Sequence, residues 1–72
     1  MRITYDPRYD VLYLKLGKAE KVYCKEVDED ITMDSAAEGK LCGTEILSAS
    51  KHMNLSTLLS VEIKKEAPFE MV

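Results

Sequence analysis

The side chains best suited to chemistry are the carboxylates Asp6, Asp10, Asp28, Glu29, Asp30 and Asp34. Hard cations take several oxygen ligands, and paired acids can split their pKa values for acid and base work. The spacing fits neither use well. No twelve-residue calcium loop ending in glutamate is present, and Asp28 with Asp30 offers only charge density. Turn chemistry and solvated strand ends account for these aspartates. His52 is the only histidine, the residue type best suited to general acid and base work. Ser50 and Ser56 are near it in sequence without forming a nucleophile motif. Cys24 and Cys42 are too few and too far apart for a disulfide framework or a zinc module, and they read as reduced, buried, small apolar residues. A catalytic thiol would need the fold to bring one of them to His52.

Two further features stand out. Glu45 is a carboxylate in an apolar stretch, so it is either solvent-facing, paired with a lysine on a neighbouring strand, or buried against a site or a helix start. Gly43 beside it suggests a close backbone approach or a bulge. The tyrosines Tyr5, Tyr9, Tyr13 and Tyr23 combine large apolar area with a polar tip, which suits packing and interfaces. These observations assign no catalytic, cofactor-binding or metal-binding residue, and the expectation is a protein that is not an enzyme and uses no cofactor. An interaction surface is expected at Val11, Tyr13, Tyr23 and Phe69.

The elements that would position these residues follow from side-chain periodicity. Arg2–Tyr5 alternates polar and apolar and reads as a strand, and Asp6-Pro7-Arg8 is a turn signal that Asp10 closes. Val11–Leu16 is the clearest strand, with Leu12, Leu14 and Leu16 facing one way and Val11, Tyr13 and Lys15 the other. That second face is half apolar, which suggests cover by another subunit. Glu20–Val27 alternates again, with Val22 and Cys24 opposite Tyr23 and Val27. Asp28-Glu29-Asp30 forms a corner, and Ile31–Asp34 turns Ile31 and Met33 inward. Ala36–Lys40 is a hairpin loop in which Gly39 can take positive φ. Leu41–Leu47 returns with Cys42, Thr44 and Ile46 inward.

Past Leu47 the pattern becomes helical, over residues 48–60 in one or two short pieces. Ser48 and Ser50 offer capping hydroxyls, and Asn54 offers a second start. Met53, Leu55, Leu58 and Leu59 would lie on the sheet. Val61 and Ile63 alternate with charge and allow a last short strand, and Pro68 stops any regular element. The expected fold is α+β: an antiparallel meander of four to five strands with one short helical segment packed on one face. Residues 1–66 form a single domain and 67–72 a tail.

Length and charge agree with this reading. The chain has 72 residues and a formal net charge of −3. It allows one small domain of marginal stability. Its basic residues are scattered and it has no tryptophan, so direct binding to nucleic acid is not expected. No apolar run is long enough for a membrane span and no signal-peptide core follows Met1, which makes a cytoplasmic, membrane-free protein the expectation.

Several residues in order carry a resemblance to a known family: Ile3-Thr4-Tyr5-Asp6-Pro7, Asp10-Val11-Leu12-Tyr13, Val27-Asp28-Glu29-Asp30-Ile31, Asp34, Gly39-Lys40-Leu41, Gly43, Glu45-Ile46-Leu47 and Ala49-Ser50. Over roughly residues 2–60 the chain resembles the domain of unknown function 2283 family, the YuzE-like proteins. It departs from the family pattern at Thr44, where an apolar residue is more typical, and in a less acidic hairpin at Ser35–Gly39. The resemblance implies a compact α+β domain with no established activity. It also implies, for some members, an antitoxin-like partnership with small RelE-like toxins. The expected function is a protein–protein interaction module, an antitoxin-like neutraliser of a small basic toxin being its narrower form. The alternatives are a self-associating structural domain and a small ligand- or metal-binding protein. The expected partner is a second copy, as a homodimer or larger homo-oligomer, or another small protein.

Overall fold

A computed structural model describes residues 1–64. They form one five-stranded antiparallel sheet: β1 (Arg2–Asp6), β2 (Val11–Lys15), β3 (Tyr23–Asp28), β4 (Ile31–Ser35) and β5 (Leu41–Ile46), in the spatial order β1-β2-β5-β4-β3. A one-turn helix α1 (Ala49–His52) and a 3₁₀ helix, Leu55–Leu59, follow. The fold is therefore mostly β.

The hairpins form where turn chemistry predicts them. At the β1–β2 turn, Asp6 Oδ1 accepts from the Arg8 amide at 2.9 Å, and the Arg8 guanidinium donates back to both Asp6 oxygens. At the β4–β5 turn, Gly39 takes φ 89° and donates to the Ala36 carbonyl at 2.9 Å. Only glycine visits that conformation without steric cost.

The expected meander holds for β3-β4-β5 and fails at β2, which pairs with β5 instead of β3. Residues 16–22 carry the chain from β2 to the far edge, giving a Greek-key order. Side-chain chemistry explains the choice. Every residue of β3 is exposed. Beside β2, its charged side chains would have faced Leu12 and Leu14. With β5 there, Tyr5, Leu12, Ile46 and Ile31 stand side by side on four strands as one apolar row.

The two helical turns roof that row. Leu12, Ile46 and Ala49 form the buried centre, and Tyr5, Ile31, Met53, Leu55 and Leu58 pack around it. Leu59 does not join them and is 94% exposed. The helical stretch is also broken into two short pieces. Ser48 sits in the left-handed region, and Met53 is extended at φ −156°, ψ 162°. The seryl, threonyl and asparaginyl side chains here favour caps and turns over helix interiors. Asn54 does cap the second piece, accepting from the Ser56 amide at 3.2 Å, whereas Ser48 makes no side-chain cap. Val61 and Ile63 are exposed and outside any strand. Cys42 is buried as expected, but Cys24, expected to be buried, is exposed because it lies on the edge strand β3.

The result is a slab of 38 × 31 × 18 Å. Its Cα radius of gyration is 13.9 Å, against about 11 Å for a compact chain of this length. All of the roof lies on the face of Leu12 and Ile46. Among the described residues no helix or strand packs on the opposite face of the sheet, and the β2–β3 connection borders one end of it.

Candidate functional site

The uncovered face is built by strand register. Arg2, Lys15, Gly43, Asp34 and Cys24 lie side by side across β1-β2-β5-β4-β3. The next row along the strands is Thr4, Tyr13, Glu45, Thr32 and Glu26. The Tyr13 ring lies over Gly43, where a Cβ would come within 2.7 Å of Tyr13 Cζ. Gly43 is thus the close-approach position anticipated from its type. The missing side chain lets the Tyr13 hydroxyl cross β5 and donate to Asp34 Oδ2 on β4 at 2.9 Å.

Asp34 governs the titration of its neighbours. Its acceptance of the Tyr13 hydroxyl holds that phenol above the ordinary tyrosine value. As the cross-strand neighbour of Cys24 it pushes that thiol up as well, with a smaller contribution from the Glu45 charge. Both groups are therefore protonated at neutral pH. A reactive thiol needs the opposite environment. Glu45 is half-buried between Tyr13 and Thr32, and among the described residues its carboxylate makes no side-chain hydrogen bond.

At one end of this face the β2–β3 connection walls a shallow hollow of about 280 Å³, lined in part by Tyr13, Lys15, Lys18, Val22 and Cys42. A second hollow of about 290 Å³ adjoins it, with Arg2, Lys15 and Lys18 in its wall and no acidic side chain.

A second polar cluster fastens the roof. Asp10, at φ 56°, accepts from the Ser50 amide at 3.1 and 3.2 Å, from Ser50 Oγ at 2.5 Å and from the Tyr5 hydroxyl at 2.8 Å. These bonds, Ser50 first and Tyr5 second, hold the Asp10 carboxyl below its usual range. The Tyr5 phenol is raised in turn. At the other end of α1, His52 Nε2 lies 2.9 Å from Asp30 Oδ2 in the β3–β4 turn. The helix is pinned at both ends to turns of the sheet.

Of the interaction residues expected from sequence, Val11 and Tyr13 share the uncovered face. Tyr23 lies on the other side of its strand, at the β3 edge, and is half-exposed. Phe69, like the rest of the 67–72 tail, lies outside the described residues. No group of three or more metal-ligating side chains occurs among the described residues, and Asp28 and Asp30 form none. His52 is engaged by Asp30, on the roof. The parts missed by sequence reasoning are the Asp10–Ser50 and Asp30–His52 links and the Tyr13–Asp34 bond. Gly43 was the one local sign of the last.

These features define a small Greek-key sheet protein with one roofed face and one open polar face. The family model described as "Protein of unknown function (DUF2283)" matches residues 2–50, and the chain belongs to that family. The matched region runs from β1 to Ser50, the residue that Asp10 holds. No curated protein and no solved structure matches the chain. No helix among the described residues is long and apolar enough to cross a membrane.

Proposed function

We propose that this protein is a non-enzymatic protein–protein interaction module whose working surface is the open face of the sheet. The observation that carries the reading is Glu45: a half-buried carboxylate without a hydrogen-bonding partner among the described residues, at the middle of a face on which no described helix or strand packs. Polar groups at such positions gain when a partner excludes water and supplies the opposite charge. The slab shape supports the same reading, since the roof packs on one face of the sheet and the other is left open to a partner. A non-enzymatic role is supported by the protonated state of Cys24 and Tyr13 and by the placement of His52 on the roof, away from both. The net charge of −3 suits a small basic partner, and neutralisation of a basic toxin is the narrower form of the proposal. Two free cysteines suit the reducing cytoplasm.

The test is photo-crosslinking in cells. A benzophenone side chain replaces Thr4 on the open face or, as control, Leu59 on the roof side. The expected result is a protein adduct from position 4 and none from the control. No adduct, or equal labelling from both, overturns the reading.

A further inference from the structure

We propose that the occupant of the open face is a second copy of this chain, packed face to face about a two-fold axis that runs along the strands between β2 and β5. This rests on the interaction reading above and makes it specific. Charge favours this occupant. On the β1–β2 half of the face stand Arg2 and Lys15, with Lys18 in the wall of the same hollow. On the β5-β4-β3 half stand Glu45, Asp34 and Glu26. Arg2 and Lys15 are direct cross-strand neighbours, an arrangement of like charges that is unfavourable on its own. Among the described residues neither makes an ion pair; the pairs present are Arg8–Asp6 and His52–Asp30. Within one copy, among the described residues, Arg2 and Lys15 on one half and Glu45, Asp34 and Glu26 on the other therefore have no ion-pair partner, while Asp6 on the first half is neutralised by Arg8.

A two-fold rotation about that axis exchanges the halves. β1 then lies over the partner's β4, and β2 over the partner's β5. Arg2 comes over the partner's Asp34, and Thr4 over the partner's Thr32. Lys15 comes over the partner's Gly43, where the partner's Tyr13 ring lies and where the partner's Asp34 and Glu45 flank it. Each contact occurs twice, as in any isologous interface. An axis perpendicular to the strands would instead place like charges over like. The product is an aligned two-sheet sandwich with layers about 10 Å apart. The face, within extents of 38 × 31 Å, is large enough for the roughly 800 Å² per partner of a stable interface.

Sedimentation of the full chain tests this with charge reversals. The wild type is expected to sediment as a dimer at micromolar concentration. Arg2→Glu and Asp34→Lys each put like charges in contact and should weaken self-association about tenfold or more. An equimolar mixture of the two variants should restore the dimer, because in the mixed species every such contact again joins opposite charges. A variant that failed to fold would give no such rescue. A wild type that stays monomeric at high micromolar concentration overturns the proposal, as does a dimer indifferent to both reversals. If the monomeric chain still crosslinks a different protein through position 4, the second copy is excluded while the interaction reading stands. With no crosslink either, both fall.

Discussion

At Asp10 the backbone adopts φ 56°, a region costly for a residue with a side chain, and it does so to aim one carboxylate at Ser50 and Tyr5. The sign of the resulting pH dependence follows directly. The folded-state pKa of Asp10 is depressed, so its contribution to stability is present above the ordinary carboxylate value and is lost as pH falls through the folded value. Asp6, lowered by Arg8, adds to the same trend. Asp10→Asn should therefore lower the melting temperature at neutral pH and flatten its fall on acidification. Thermal melts followed by circular dichroism check this, and an unchanged acid slope would contradict it. Gly43→Ala forces its Cβ against the Tyr13 ring and to 3.0 Å from the Leu14 carbonyl, which should cost about 1–3 kcal/mol. Tyr13→Phe, which removes only the bond to Asp34, should cost about 0.5–1.5 kcal/mol. Denaturant titrations that ranked the two in reverse order would argue against the close approach. The Asp6 turn was legible in the sequence because donor and acceptor are two residues apart. The Asp10 link was not, because it closes over forty.

Between elements, the roof is where adjacent leucines differ most. Leu58 packs against the core, whereas Leu59 is almost fully exposed. Leu58→Ala should destabilise the fold by more than about 1 kcal/mol, and Leu59→Ala by less than about 0.5 kcal/mol. Equal losses in urea unfolding would mean that the 3₁₀ helix is set differently on the sheet. Leucine spacing placed both residues inward because it assumed α-helical periodicity. A 3₁₀ turn rotates successive side chains by a different angle, and nothing local in Leu55–Leu59 announces it. The strands were more legible, since alternation marks a half-buried ribbon wherever one face is apolar. Alternation does not say which strand lies next to which. The position of β5 beside β2 depends on matching Ile46 to Leu12, a property of the assembled sheet.

For the molecule as a whole, the large side chain that is fully buried among the described residues is Leu12, at 1% exposure. Leu12→Ala should cost about 2–5 kcal/mol, comparable to the total stability of a small domain. The expected outcome is a chain largely unfolded at ambient temperature, read as loss of the cooperative melt. The open face was only half legible. Val11, Tyr13 and Lys15 showed that β2 has a second surface, but the split of charge across it comes from the strand order and not from the order of residues.

The crossover between β2 and β3 also orders events in synthesis. The first hairpin, β1–β2, leaves the ribosome early, yet β2 gains its second neighbour only when Leu41–Ile46 has been made. Until then β2 presents a bare strand border of alternating leucines to whatever else is in the cell, the kind of edge that templates aggregation. A nascent chain stalled before β5 should therefore depend on chaperones or form inclusion bodies, while one released a few residues beyond it carries the strand that closes the border.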